Sequence, residues 1–124
     1  MRRSLWPAAA LLSLGYTLLP ATPAFAEYGA LAWDRGAGKY GASWNQQSSL
    51  LASQTAIRDC GASRCRVVST LGPKMCGALA TTEDGKHAGA AKRKDNAAAR
   101  LAALKNCEKN NAGACVVRAA NCNK

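Results

Sequence analysis

Tyr28-Gly29-Ala30-Leu31-Ala32 and, forty-eight positions later, Cys76-Gly77-Ala78-Leu79-Ala80 open two copies of one pattern. Ser48 to Cys60 then falls on Asp95 to Cys107 at an offset of forty-seven, so that Leu50, Ile57 and Cys60 meet Ala97, Leu104 and Cys107. Cys65-Arg66-Val67-Val68 answers Cys115-Val116-Val117-Arg118, and Cys76 answers Cys122. An internal repeat of this size implies two similar supersecondary units sharing one core. Repeat one covers about residues 28–75 and repeat two about 76–122, within a single domain at 27–124.

Each copy reads strand, strand, helix, strand. The first strands are Tyr28 to Trp33 and Gly77 to Thr82, and the turn-forming stretches Asp34-Arg35-Gly36-Ala37-Gly38 and Glu83-Asp84-Gly85 lead into return strands at Lys39 to Trp44 and Lys86 to Ala91. Ser48 and Asp95 are good N-cap residues at equivalent positions, and Gly61 reads as a C-terminal cap. Leu50, Ile57 and Cys60 predict the apolar stripe of the first helix, with Ala97, Leu101, Leu104 and Cys107 as its counterpart. Third strands follow at Arg64 to Thr70 and Ala114 to Ala119. The expected fold is α+β, with two tandem strand-strand-helix-strand repeats forming one antiparallel sheet covered by two helices and stapled by disulfides.

Residues 1–26 read as a cleaved signal peptide. Arg2 and Arg3 give a positive start, Leu5 through Leu19 an apolar region, and Ala24-Phe25-Ala26 a cleavage site before Glu27. Pro7, Ser13, Gly15 and Pro20 interrupt a stretch already short of the ~20 apolar residues of a membrane span, so no span is expected after cleavage. The expected location is periplasmic or secreted. Losing the two arginines lowers the formal net charge of +10 to +8, which favours anionic partners.

Large apolar side chains are sparse in what remains, so six cysteines in an exported chain read as a disulfide framework, each bridge worth ~2 to 4 kcal/mol. Six cysteines alone allow 15 pairings. The repeat narrows them: Cys60 and Cys65 flank a tight turn, Cys107 and Cys115 hold the same places in the second copy, and Cys76 and Cys122 are left to close repeat two. No C-x-x-C pair occurs and His87 stands alone, so neither a metal site nor a cofactor is expected.

Tyr28-Gly29-Ala30-Leu31-Ala32, Lys39-Tyr40-Gly41-Ala42-Ser43-Trp44, the helix ending in Cys60, Cys65-Arg66-Val67-Val68 and Cys76-Gly77-Ala78-Leu79-Ala80 together resemble the exported bacterial family catalogued as domain of unknown function 4189. The resemblance covers nearly the whole chain after the leader. It implies a secreted or periplasmic cysteine-rich domain and no general activity. Members often carry aromatics in the second hairpin as well, where this chain has Ala88-Gly89-Ala90-Ala91-Lys92-Arg93-Lys94.

No catalytic set stands out, and the chain is expected not to be an enzyme. A ribonuclease of pancreatic type wants two histidines, and only His87 is present. A cell-wall hydrolase would need two suitably spaced carboxyl groups, but Asp34, Glu83 and Asp84 read as turn residues, Asp95 as a cap, and Asp59 and Glu108 as helix ends. Two surfaces remain as candidates for partner binding: Trp33, Tyr40 and Trp44 in the first hairpin, and the basic set Lys86, Lys92, Arg93 and Lys94. The function expected is an exported binding protein acting on another envelope protein as an inhibitor or immunity-like factor. The alternative is a cationic module for anionic envelope polymers such as peptidoglycan or lipopolysaccharide. Neither involves specific nucleic-acid recognition.

Overall fold

The computed structural model describes Gly15 and residues 26–110 and 113–124, so nearly all of the expected leader lies outside the described residues. No helix among the described residues is long and apolar enough to cross a membrane. The elements are β1 (Tyr28–Asp34), β2 (Lys39–Gln46), α1 (Ser49–Cys60), β3 (Arg66–Leu71), β4 (Cys76–Thr82), β5 (Ala88–Arg93), α2 (Asn96–Lys109) and β6 (Cys115–Cys122). The α+β class and the two tandem strand-strand-helix-strand units are those the repeat implies. The capping residues also stand where expected: the Ser48 and Asp95 side chains accept from the N–H groups of Leu51 and Ala98, and Gly61 ends α1 at φ 69°.

The strands pair as two three-stranded antiparallel sheets, β2-β1-β3 and β5-β4-β6, one from each repeat. Burial accounts for the division. In β1 the side chains of Ala30 and Ala32 pack under α1, which turns Leu31 to the opposite face, and Leu79 is its counterpart beyond Ala78 and Ala80. A single six-stranded sheet with both helices on one side would leave both leucines in water. Stacking the sheets buries them completely, with Leu71 beside them. Contacts between the sheets run β1 to β4, β2 to β6 and β3 to β5, the pattern a twofold axis between the repeats generates, with β3 to β4 added where the chain passes from one repeat to the next. The layers are therefore helix, sheet, sheet, helix.

The helices lie unusually close to their sheets, because the contact is made by small residues. Ala52, Ala56 and Cys60 recur every four positions in α1, as do Ala99, Ala103 and Cys107 in α2, and all are buried. Opposite them stand Gly41 and Gly89, where an added Cβ would lie 2.8 Å from Cys60 Cα and 2.6 Å from the Ala103 carbonyl oxygen. This corrects the stripe read from the large residues. Leu50 is 67% exposed, Leu101 54% exposed, and Leu51 and Ile57 are also open to solvent.

The three bridges are Cys60–Cys65, Cys76–Cys122 and Cys107–Cys115, as the repeat symmetry requires. Both third strands also carry a bulge at the same place. Leu31 pairs with Ser69 and Ala32 with Val67, while Leu79 pairs with Ala119 and Ala80 with Val117, so Val68 and Arg118 are the inserted residues. The change of repeat offset from forty-eight to forty-seven has its own site. Ala30 pairs with Ser43 but Tyr28 with Gln46, and this irregularity, absent from β4 and β5, holds Asn45 at φ 55°.

Candidate functional site

The two hairpin ends touch. Gly38 and Gly85 both have positive φ, 65° and 74°, and a Cβ on Gly85 would lie 2.6 Å from Gly38 Cα. Two side chains fasten this junction from opposite repeats. The Trp33 indole Nε1 donates to the Gly85 carbonyl at 2.7 Å, and the Lys86 ammonium donates to the Gly36 carbonyl at 2.9 Å. Trp33 is thereby half-buried and tied to the fold, while keeping one side open.

Beside the junction is an open cleft of about 1040 Å³. Trp33, Asp34, Arg35 and Gly36 line it from the first hairpin, Ser63 to Val68 from the α1–β3 connection and β3, and Lys86 from the second hairpin. Pairing in the first sheet sets Tyr40, Trp33 and Arg66 side by side across β2, β1 and β3, on the face turned away from α1.

Asp34 is the only acid in the lining, and its carboxylate is occupied. One oxygen accepts from the Ala37 N–H at 3.1 Å and the other from the Arg64 N–H at 3.1 Å, which ties the turn to the start of β3. These backbone donors, Ala37 foremost, hold its carboxyl below the ordinary carboxylate range despite burial that acts the other way. Arg35, Arg64, Arg66 and Lys86 are all exposed. The cleft is therefore cationic, with an aromatic side chain, the Cys65 sulfur and two valines among the charges.

Of the residues singled out from sequence, the structure brings Trp33 and Lys86 into this cleft, with Tyr40 in the adjoining row and 40% exposed. Trp44 is half-buried at the irregularity in β2, outside the cleft. Lys92 and Arg93 end β5 and Lys94 follows it, all exposed and also outside. Arg35, Arg64 and Arg66 were not singled out. Their signal was present in Arg64-Cys65-Arg66, where a disulfide fixes the backbone between two cations, but it needed the β1–β3 register to reach Trp33.

The backbone of His87 belongs to the second hairpin, its N–H donating to Thr82 Oγ1 at 3.2 Å and its carbonyl accepting from the Thr82 N–H at 3.0 Å. In register Ala88, and not His87, takes the place of Tyr40. Asp59 accepts from the Ala42 N–H, and Asp84 from the Lys86 N–H and Thr82 Oγ1, which in that order hold its carboxyl below the ordinary carboxylate range. Among the described residues no group of three or more His, Cys, Asp or Glu side chains could hold a metal ion.

A model of the family described as "Domain of unknown function (DUF4189)" matches residues 28–122. Similar curated proteins include "Protein Rv1269c" of Mycobacterium tuberculosis (strain ATCC 25618 / H37Rv) and "Protein Mb1300c" of Mycobacterium bovis. Each is 38% identical over 56 residues, covering 45% of this chain and 43% of the relative. The chain thus matches less than half the length of these relatives. No solved structure matches it.

Proposed function

We propose that this chain, which belongs to the DUF4189 family, is an exported binding domain without catalytic activity of its own, which engages an acidic segment of another envelope protein and restrains it as an inhibitor or immunity-like factor. The observation that carries this is the composition of the cleft. Four cations, Arg35, Arg64, Arg66 and Lys86, surround Trp33 beside Val67 and Val68, on a frame held by three disulfides. Arg and Trp dominate interface hot spots, because each combines a large contact area with directional hydrogen bonding. A rigid frame also lowers the ordering cost of association.

A second reading is favoured by a separate observation. Lys92, Arg93 and Lys94 form an exposed basic run away from the cleft, suited to electrostatic contact with anionic polymers such as peptidoglycan or lipopolysaccharide. Salt separates the two. Contacts through scattered surface charges weaken steeply once the Debye length falls to ~8 Å and below, whereas a desolvated protein interface persists. The test is retention of the purified domain, and of an Arg64→Glu/Arg66→Glu variant, on purified peptidoglycan and on immobilised periplasmic proteins at low and high salt. Retention on the proteins that survives high salt and is lost in the variant supports the cleft. Retention on peptidoglycan alone, unaffected by the variant, overturns it.

A further inference from the structure

The cleft follows the edge of a strand. Side chains of consecutive strand residues point to opposite faces, so a depression lying over one face of β3 would be lined by alternate residues. Instead Arg66, in the Trp33 row on the face away from α1, and Val67, which packs on the α1 side, both line it, with Val68 at the bulge next to them. A depression bordered by residues of both faces lies along the edge of the strand. β3 is the outer strand of its sheet, hydrogen-bonded to β1 alone among the described strands, so its other side turns backbone N–H and C=O groups outward.

We infer that β3 is a docking edge, and that the occupant of the cleft is an extended acidic peptide segment added to the first sheet as a further strand. This rests on the proposed function and specifies its binding mode. Backbone bonds along β3 supply affinity that is blind to sequence, and alternate side chains of the added strand supply the choice of partner. The charge complement is acidic: one face of such a strand lies beside Arg66, with Trp33 one strand further in and Arg35 and Lys86 at the hairpin junction. The bulge at Val68 limits the regular run of the edge, which favours a short segment over open-ended pairing with another copy of the chain.

The experiment uses a capped nine-residue synthetic peptide of alternating Glu and Val, and the same peptide methylated at every backbone amide nitrogen. Methylation removes the donors and keeps the charge. Affinities are measured by fluorescence anisotropy at fixed salt, and protection of the β3 amides is followed by hydrogen exchange in the intact disulfide-bonded protein. The expected result is a loss of about tenfold or more on methylation, since two backbone bonds at ~1 kcal/mol each correspond to that order. Slowed exchange in β3, without change in β6, should accompany binding of the unmethylated peptide. Equal affinity of the two peptides, both lost in Arg64→Glu/Arg66→Glu, would overturn strand addition while leaving the cationic cleft in place. Binding indifferent to that charge reversal would overturn both. Displacement of the unmethylated peptide by inorganic polyphosphate with no β3 protection would identify an anion site and also refute the docking edge.

Discussion

Replacing Gly85 by alanine should separate two contributions that the hairpin junction combines. The residue has φ 74°, where an L side chain costs ~1 to 2 kcal/mol from crowding of its Cβ against the carbonyl. The new Cβ would also press on Gly38 across the junction, 2.6 Å from its Cα and 2.8 Å from its carbonyl carbon. Those atoms are backbone, held by the β1–β2 hairpin, so relief requires moving one sheet relative to the other, and overpacking of that kind costs ~1 to 3 kcal/mol more. The sum is ~3 kcal/mol, which for a domain near 100 residues lowers Tm by roughly 12 to 24 °C. Two companions calibrate it. Gly61→Ala shares the left-handed backbone, φ 69°, but its Cβ would meet nothing nearer than 3.8 Å, so it should show the conformational part alone. Gly72→Ala meets nothing within 4 Å and should leave Tm within a few degrees. Calorimetry of the three oxidised variants measures the differences. If Gly85→Ala costs no more than Gly61→Ala, the hairpin ends do not touch and the stacking of the two sheets is wrong.

Trp33→Phe should lower stability by ~1 to 3 kcal/mol, because it leaves the buried Gly85 carbonyl without its donor, while Trp44→Phe should cost less; urea titration compares them. Ala103→Leu should destabilise by ~1 to 3 kcal/mol or more and Leu101→Ser by under ~0.5, inverting the usual order for large and small apolar residues. Asn123→Ala removes the acceptor of the Asn45 N–H and the donor to the Gly72 carbonyl, and a loss of ~2 kcal/mol or more is expected in denaturant. Asp34 has a folded-state pKa below its unfolded value near 3.8, so its contribution is complete above that value and disappears as pH falls through the lower folded one. Asp34→Asn should therefore narrow the gap in Tm between pH 7 and pH 2, and an unchanged gap would show that the carboxylate bonds are absent.

The repeat, both helix caps, the hairpins and all three bridges were legible because each leaves a local mark: a cysteine at a matched position, a polar residue before a helix, a glycine at a turn. The helix faces were misread for a physical reason. Periodicity points to large apolar residues, but here the buried stripe is Ala52, Ala56 and Cys60, small enough for the helix to settle against Gly41, and alanine carries little weight in a hydrophobic pattern. The division into two sheets was present in the sequence as the unbroken small and apolar runs of β1 and β4, which suit strands buried on both faces. Arg64 and Arg66 could not be tied to Trp33 without the register of β3. That pairing is non-local and shifted by a bulge, so counting along the chain does not reach it.

The asymmetry between the repeats sets the cleft on one side of a symmetric frame. At the row where repeat one aligns Tyr40, Trp33 and Arg66, repeat two aligns Ala88, Thr81 and Val116. Removing bulk and charge from that row lets the second hairpin approach closely enough for the Gly85 carbonyl to receive the Trp33 N–H and for Lys86 to reach Gly36. Arg118, at the bulge matching Val68, turns inward instead to Thr81 Oγ1 and the Glu83 carbonyl, bracing the hairpin that repeat one leans on. The extra residue in repeat one works at the opposite end. Asn45 donates its N–H to Asn123 and accepts from the Lys124 N–H, so the residues that follow β6 are clasped by repeat one. The two copies thus differ at both ends of the sheets. Repeat two holds the frame, and repeat one carries the cleft.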